Sequence, residues 1–268
     1  MKIIMLGDVV GEPGLIALEK HLPALIAEYN ADFTVVNGEN AAGGFGLTAE
    51  ILDRILAAGV DVVTSGNHIW EKREFWPSLN SSMPVLRPAN YPVIPETDSS
   101  GMPLVPGRGW IRAEKNGISV LVINLQGREL MPPVNCPFHC FDTITAGQAG
   151  TAAIAVDFHA ESSEEKEALG YYLNGRAGIV AGTHTHVQTA DERILSGATA
   201  YISDLGMTGA TNGVIGMDKD ICKNRFLSQV AYRMECATPA DEDYCLQGII
   251  AELDEKGKAL NIKRINRC

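Results

Sequence analysis

The sequence predicts an α/β fold of four layers, α/β/β/α, in which two mixed β-sheets pack face to face with helices outside. Short apolar runs bounded by turn residues alternate with stretches of helical periodicity, which is the pattern of βαβ units. Asn116-Gly117 separates two strand-like runs and predicts a hairpin, so at least one sheet has strands of mixed direction. Neither an internal repeat nor a linker divides residues 1–268, and we therefore predict a single domain.

Three apolar runs near the start of the chain predict strands that end in polar residues. The runs are residues 3–6, 33–36 and 60–64. The polar ends are Gly7-Asp8, Asn37-Gly38-Glu39-Asn40 and Ser65-Gly66-Asn67-His68. Ligands of open α/β sheets bind beyond the carboxyl ends of the strands, so these residues are candidates for a functional site.

Two helices are expected between these strands. The first has apolar residues at helical spacing from Leu15 to Ile26 and begins near Pro13, a residue favoured in the first turn. Pro23 lies inside this pattern and predicts a kink or a division into two helices. The second helix is expected to begin after Thr48, which is a good N-cap residue.

The middle of the chain is rich in proline. Residues 77–110 predict an ordered loop with short edge strands, and within them 87–90 favour a structural turn over a pocket wall. Residues 111–114 and 118–123 are the strands of the predicted hairpin. A second Pro-rich, aromatic loop at 131–141 is open to two interpretations, a cover over the site or an oligomer contact.

The second half of the chain repeats the pattern of strands that end in polar residues. The runs 152–156 and 177–181 predict buried strands, which lead into Asp157-Phe158-His159 and Gly182-Thr183-His184-Thr185-His186. A helix over 161–174 is expected between them, with Ser162 or Ser163 as its cap. The remaining predictions are strands at 193–195 and 200–202, a glycine-rich loop at 204–209, and a terminal hairpin of 244–253 and 259–265.

Composition limits the class of partner. The 268 residues are 46% hydrophobic, which is enough for a sizeable core. The formal net charge is −11 and no basic run occurs, which argues against long nucleic acid because phosphate backbones need clustered Lys and Arg. A small phosphate ester remains compatible with this charge if bound ions supply the positive potential.

The N-terminal apolar run is too short for a signal peptide, and no run reaches the length of a membrane span. Cys136 and Cys140 form a CxxxC pair, which is open to a metal-binding or disulfide interpretation. The six cysteines are otherwise scattered, and this favours reduced thiols. We therefore expect a soluble, cytoplasmic protein without a membrane partner.

The polar strand ends together offer oxygen and imidazole donors but no thiolate. The candidates are Asp8, Glu39, Asn40, Asn67, His68, His159, His184 and His186. Such a set suits Mn, Fe, Zn or Co better than a structural zinc cage. It is too large for one four-coordinate ion and suits two ions ~4 Å apart that share a carboxylate, an arrangement used for phosphoryl displacement. Unrelated loop histidines are the alternative.

The order of these motifs resembles the calcineurin-like metallophosphoesterases. That superfamily has Asp-x-His, Gly-Asp, Gly-Asn-His, His and Gly-His-x-His in the same order. This chain departs from the pattern twice, with Val10 at the histidine of the first motif and Glu39 at the aspartate of the second. Both departures are typical of the YmdB-like branch, bacterial 2′,3′-cyclic nucleotide phosphodiesterases, and the resemblance covers nearly the whole chain.

The resemblance implies two metal ions per chain, divalent or trivalent, with iron or manganese expected. The first ion would be held by Asp8, Glu39, Asn40 and His186. The second ion would be held by Glu39, Asn67, His159 and His184. Asn40 would take the coordination place that Val10 leaves empty, and Glu39 would bridge the two ions.

The implied function is hydrolysis of a cyclic nucleotide of the 2′,3′-cAMP type, in which a hydroxide that bridges the metals attacks phosphorus. His68 would stay off the metals and assist the leaving group, although support of the metal ligands is an alternative role for it. Gly43 and Gly44 would let the substrate approach the metals closely. Phe45 would stack on a base or pack in the core.

Two other functions fit the same residues. One is a phosphomonoesterase, such as a nucleotidase or a protein phosphatase, that uses the same metal pair. The other is a non-catalytic regulatory protein that binds metal and a nucleotide. A homo-oligomer is plausible for such a family, but neither the acidic surface nor the Pro-rich loops indicate its symmetry.

Overall fold

The computed structural model describes residues 1–148, 153–238 and 243–268. In chain order the strands are β1 (Lys2–Leu6), β2 (Asp8–Val9), β3 (Phe33–Asn37), β4 (Val62–Thr64), β5 (Trp110–Lys115), β6 (Ile118–Gln126), β7 (Ala153–His159), β8 (Ile179–Thr183), β9 (Arg193–Leu195), β10 (Thr199–Ile202), β11 (Met207–Ala210), β12 (Tyr244–Leu253) and β13 (Ala259–Arg267). The α-helices are α1 (Gly11–Tyr29), α2 (Ala49–Ala57), α3 (Trp76–Leu79), α4 (Pro137–Thr145), α5 (Ser163–Tyr172) and α6 (Lys219–Ser228).

The described strands form two sheets of mixed direction. The first has seven strands in the order β2-β11-β12-β1-β3-β4, with β13 paired to β12. In it β1, β3 and β4 run parallel, whereas β12 is antiparallel to β1. The second has six strands in the order β5-β6-β7-β8-β10-β9. Its centre, β6, β7, β8 and β10, is parallel, and each edge strand is antiparallel to its neighbour.

Side chains alternate between two cores along the central strands. In β1, Ile3 and Met5 pack in the core between the sheets, whereas Ile4 and Leu6 face the core under α1 and α2. This period of two is what an extended strand buried on both faces requires. Each such side chain contributes roughly 1.5–3 kcal/mol of burial free energy, so these strands contribute substantially to the stability of the fold.

The helices cover the outer faces of both sheets. Leu15, Leu18 and Leu22 of α1 are buried on the first sheet. Leu169 of α5 packs on the outer face of the second, with Val156 of β7. The result is the four-layer α/β/β/α sandwich, and the predicted fold class is confirmed. Thr48 caps α2 by accepting a hydrogen bond from Ile51 N, and Ser162 caps α5 in the same way from Glu165 N.

Several predicted elements differ from the structure. Helix α1 continues through Pro23 without division, since the buried side chains of Leu22 and Leu25 hold the helix against the sheet on both sides of it. The third strand begins at Val62 and not at residue 60. Before it, the carboxylate of Asp61 accepts a hydrogen bond from Thr34 N. The predicted run 152–156 begins at Ala152, which lies outside the described residues.

Several elements were wrong or missing in the prediction, among them the short helix α3 at the start of the Pro-rich stretch 77–110, which was expected to be loop with edge strands. The expected loop at 131–141 contains the start of α4, which begins at Pro137, a residue suited to the first helical turn. The expected loop at 204–209 contains β11, a strand that pairs with both β2 and β12. Helix α6 was not predicted because it is polar, with Cys222 as its buried residue. No helix in the described ranges is long and apolar enough to cross a membrane.

Candidate metal centre

The polar strand ends of both sheets meet at one edge of the sandwich. Asp8 follows β1, and Glu39 and Asn40 follow β3. From the second sheet, His159 ends β7, and β8 leads directly into His184. These parallel strands all end at the same edge, so side chains far apart in sequence converge there.

One group of predicted ligands contains Asp8, Asn40 and His186. His186 Nε2 lies 3.2 Å from Asp8 Oδ2 and 3.0 Å from Asn40 Nδ2, and all three residues are buried. Val10 pairs with Asn40 through a parallel β-bridge, and the Val10 side chain packs in an apolar cluster with Met207. Asn40 therefore approaches the site from beside the position that Val10 occupies.

A second group contains Glu39, His159 and His184. One potential ligand atom from each lies within 4.8 Å of the other two. Glu39 Oε1 is 3.0 Å from His159 Nε2, which is itself 3.0 Å from His184 Nδ1. Asn40 Nδ2 is 3.5 Å from Glu39 Oε1, so the two groups adjoin at Glu39. This position suits a carboxylate shared by two ions.

Buried side-chain oxygens of three predicted ligands have no hydrogen-bond partner within the described residues. Asp8 Oδ1 and Asn40 Oδ1 belong to the first group, and Asn67 Oδ1 lies in the loop between Gly66, which approaches the His159 ring, and His68, whose backbone N–H binds Glu39. A buried polar atom without a partner costs free energy, and carboxylate and amide oxygens beside histidine nitrogens are suitable ligands for a hard or borderline cation. The residues therefore fit a metal centre with mixed oxygen and nitrogen donors.

Electrostatics within the metal-free centre follow from the close approach of Glu39 and His159. Burial opposes the charge of Glu39, but the neighbouring His159 outweighs burial and lowers the pKa of the carboxyl to about 2. Burial also opposes protonation of His159, yet Glu39 and Asp8 raise the pKa of His159 to about 9. Burial and the charge of His159 lower the pKa of His184 to about 4.

A buried polar cluster between the sheets holds His159 in position. Thr183 Oγ1 lies 3.0 Å from His159 Nδ1 and donates a 2.7 Å hydrogen bond to Asp157 Oδ1. Asp157 Oδ2 also accepts hydrogen bonds from Thr64 Oγ1 and from Asn37 Nδ2. Because each of these residues is buried, the cluster leaves the His159 ring little freedom to rotate.

The loops that carry the ligands have close backbone contacts and unusual backbone angles. A Cβ atom added to Gly66 would lie 2.1 Å from the His159 ring, so glycine lets the loop after β4 pass close to the histidine. His184 has φ 101° and His186 has φ 64°, a region that L-residues with a side chain adopt rarely. Strain of this kind persists where the surrounding structure holds the backbone in place.

His68 lies beside the two ligand groups and is not part of either. Its backbone N–H donates a 3.0 Å hydrogen bond to Glu39 Oε2, and its Nδ1 is 3.5 Å from Glu71 Oε1. The side chain is 28% exposed, and Phe45 packs edge-on against it with ring centroids 5.1 Å apart. His68 and Phe45 both line a cavity of about 390 Å³ that also contains His184.

The glycine-rich loop reaches the same cavity. Gly44 lines it with φ 93°, and a Cβ atom there would lie 3.1 Å from Met217 Cε. Gly43 has φ 69° and lines an adjoining cavity, where a Cβ atom would meet no other atom within 4 Å. The structure therefore brings Gly43, Gly44 and Phe45 to the mouth of the centre.

Several residues near the centre were absent from the predicted site. Glu161 Oε2 is 3.2 Å from His184 Nε2, and Glu71 lies beside His68. Both could have been noticed, since each is an acid two or three positions after a candidate histidine. Arg225 and Met234 also line the cavity. They follow the last predicted ligand by many residues, and no motif marks them.

Comparison with known proteins identifies relatives that match nearly the whole length of this chain. The chain is 43% identical to a 2′,3′-cyclic-nucleotide 2′-phosphodiesterase of Bacillus subtilis, across 99% of this chain and 96% of the relative. A crystal structure of a hypothetical protein from Thermus thermophilus superposes with a TM-score of 0.89 at 37% identity, covering 100% of this chain and 99% of that one.

A crystal structure described as a novel phosphatase of Mycoplasma pneumoniae superposes equally well, with a TM-score of 0.89 at 30% identity over 100% of this chain and 93% of that one. A putative 5′-nucleotidase of Staphylococcus aureus shares the fold, with a TM-score of 0.59 at 14% identity over 99% of this chain and 54% of that one. The profile of the family described as YmdB-like protein matches residues 4–265. The chain therefore belongs to the YmdB-like family, as its motifs predicted.

Proposed function

We propose that this protein is a metal-dependent phosphodiesterase that hydrolyses 2′,3′-cyclic nucleotides. The observation that carries the proposal is the pair of ligand groups that adjoin at Glu39, with His68 beside them and a cavity over them. The 43% identity to a 2′,3′-cyclic-nucleotide 2′-phosphodiesterase supports the same substrate class and the bond to O2′ as the one that breaks.

The ligand atoms fit two ions, for which we propose iron or manganese. One ion would be held by Asp8, Glu39, Asn40 and His186, and the other by Glu39, Asn67, His159 and His184. When bound, such a pair supplies Lewis-acid activation of the phosphate and of the attacking water. The unpartnered oxygens of Asp8, Asn40 and Asn67 support this assignment.

The protein's own residues would orient the substrate and handle the proton of the leaving group. His68 Nδ1 is buried without a hydrogen-bond partner, 3.5 Å from Glu71 Oε1, which leaves Nε2 as the nitrogen that would donate a proton to the leaving ribose oxygen. The hydrogen bond from His68 N to Glu39 Oε2 couples this residue to the carboxylate between the two ligand groups. Phe45 packs edge-on against the ring and limits its rotation.

The proposal includes three general properties of the protein: its domain organisation, its location and its oligomeric state. We propose one domain over 1–268, a cytoplasmic location and a homo-oligomeric state. All six cysteines are free of disulfides, which supports a reducing compartment. Light scattering of the purified protein at several concentrations would test the oligomeric state.

Product analysis tests the proposed activity. Manganese-loaded protein is incubated with adenosine 2′,3′-cyclic monophosphate, with the His159→Asn variant as the background. We expect conversion to adenosine 3′-monophosphate as a single isomer, and no conversion by the variant. Absence of conversion beside intact metal binding would contradict the proposal and favour the non-catalytic regulatory alternative.

The phosphomonoesterase alternative has its own outcome in this experiment. Relatives described as phosphatases, such as the one from Mycoplasma pneumoniae, make it worth a separate arm. Adenosine 3′-monophosphate and adenosine 5′-monophosphate are incubated under the same conditions, and release of inorganic phosphate is measured. Monoester cleavage without diester cleavage would replace the phosphodiesterase proposal with a nucleotidase.

A further inference from the structure

A second cavity adjoins the one over the metal centre. It has a volume of about 640 Å³ and shares Phe45, His68 and Met234 with the first cavity. Its volume lies in the range of ~300–1,000 Å³ that is usual for sites of small ligands. Residues 232–236 line it, together with Glu71 and Lys72.

The second cavity lies next to the place proposed for the leaving ribose oxygen. This step rests on the proposed function, in which the phosphate lies at the ligand groups and His68 meets the leaving ribose oxygen. In that arrangement the nucleoside that carries this oxygen extends past His68, and the second cavity, which His68 also lines, is the adjoining space.

Two cationic side chains line this cavity, Lys72 and Arg233. Neither has a carboxylate within ion-pair distance among the described residues. Glu71 and Glu235 also line the cavity, so its lining carries as many acids as cations. Neither acid lies within ion-pair distance of Lys72 or Arg233 in the described structure, and Glu71 lies 3.5 Å from His68 Nδ1. Arg225, in the wall of the first cavity, contacts Met234 Sδ at 4.0 Å and no carboxylate in the described ranges.

Cations beside a substrate cavity are notable in a chain whose net charge is −11. Elsewhere, basic side chains such as Arg54, Lys166 and Arg267 form ion pairs with nearby acids. Lys and Arg are the side chains that bind phosphate groups in proteins, Arg often through two parallel hydrogen bonds. The cavity also exposes an aromatic ring, Tyr232, which is 42% accessible and offers a face to a nucleobase.

We infer that the second cavity is a subsite for a phosphate at the 5′ position of the nucleoside whose O2′ is the leaving oxygen, and that Lys72 and Arg233 bind it. The preferred substrate is then a 2′,3′-cyclic phosphate whose nucleoside also carries a 5′-phosphate. This chemistry is present both in a mononucleotide with a 5′-phosphate and at the end of an RNA fragment. Unphosphorylated adenosine 2′,3′-cyclic monophosphate is a substrate that leaves the subsite empty.

A binding experiment tests the subsite without reference to turnover. Adenosine 3′,5′-bisphosphate and adenosine 3′-monophosphate are titrated calorimetrically into the wild-type protein and into Arg233→Gln and Lys72→Gln. We expect the bisphosphate to bind about tenfold more tightly than the monophosphate, the effect of one charge-assisted hydrogen bond. Each variant is expected to reduce that ratio, and Arg233→Lys to retain part of it.

Lys256→Gln is the matched control. Lys256 is an exposed cation in the turn between β12 and β13, at the edge of the sheet opposite the metal centre. It is expected to keep the wild-type ratio. Equal binding of the two nucleotides by the wild-type protein would overturn the inference, as would a ratio that neither Arg233→Gln nor Lys72→Gln lowers.

Kinetics then identify the source of the second phosphate. The values of kcat/KM are compared for adenosine 2′,3′-cyclic monophosphate, its 5′-phosphorylated form, and a dinucleotide with a 2′,3′-cyclic end. A preference of about tenfold for either phosphorylated compound supports the inference. The compound that is preferred distinguishes free nucleotides from RNA ends. Equal kcat/KM values for the three compounds would overturn the subsite but leave the proposed function intact. No turnover of any compound would contradict the proposed function alone, because the binding ratio is measured independently.

Discussion

Lys166 Nζ donates a 2.7 Å hydrogen bond to Asp204 Oδ2, and both side chains are buried. The same carboxylate oxygen accepts hydrogen bonds from the backbone N–H and the hydroxyl of Thr185, at 3.2 and 2.8 Å. Thr185 lies between His184 and His186. The buried ion pair therefore anchors the loop that delivers one histidine to each group of candidate metal ligands.

Replacement of Lys166 by methionine is expected to destabilise the protein strongly. It would leave the Asp204 carboxylate buried without its cation, which typically costs roughly 3–5 kcal/mol. Chemical denaturation of the metal-free protein measures this free energy. Lys223→Met is the control, because Lys223 is 61% exposed in its ion pair with Asp220 and its loss should be undetectable. Equal free energies of unfolding for the two variants would argue against an anchoring role of the Lys166–Asp204 ion pair.

Gly66→Ala is expected to weaken metal binding. The new methyl group would occupy space 2.1 Å from the His159 ring, which must then move away from Glu39 and His184. Misplacement of a ligand by its supporting structure commonly reduces metal affinity by roughly 10- to 100-fold. Metal content after dialysis against a buffered chelator is the measurement. Gly147→Ala is the control, since its Cβ atom would meet nothing within 4 Å, and its metal content should equal that of the wild type.

His68→Ala is expected to lower kcat by roughly 10²- to 10⁴-fold, the usual contribution of a general acid, with metal content unchanged. Glu71→Gln should lower kcat less, because it removes the acid beside His68 Nδ1 and leaves the ring in place. His139→Ala, at an exposed histidine, is the control. If metal content and kcat fell together in His68→Ala, His68 would be a support for the metal ligands, which is the alternative role.

Metal binding at pH 7 is expected to release protons. The Glu39 carboxyl, whose pKa is lowered to about 2 beside His159, is ionised at pH 7. The pKa of His184, about 4, leaves that ring neutral. His159 has a pKa raised to about 9, so it carries a proton that must leave before the ring can bind a metal.

Calorimetric titration with Mn²⁺ in buffers of different ionisation enthalpy measures that release. Asp8 raises the pKa of His186 against the effect of burial, so this ring can contribute as well. We expect roughly one to two protons released per chain, and metal affinity that falls as the pH is lowered from about 8 to about 6. An affinity independent of pH in this window would show that the histidines are already neutral in the metal-free protein.

Local sequence patterns were sufficient for the family, for the fold class and for most strands. Each apolar run and the polar residues that end it are neighbours in the chain, as in the run before Asp8 and the one before Asn67. Because the carboxyl ends of parallel strands meet at one edge, a list of strand ends is also a list of residues that converge. The assignment of those residues to individual metal ions stays a prediction.

Other features depend on contacts between distant parts of the chain. Strand β11 has little pattern of its own and exists because β2 and β12 offer hydrogen bonds on both of its sides. Asn40 and His186 meet although 146 residues separate them, and Arg233 reaches the cavity beside His68 on a segment with no recognisable motif. Periodicity records which residues are buried locally, whereas the packing of two sheets determines which strand ends face each other, and that packing leaves no local signal in the sequence.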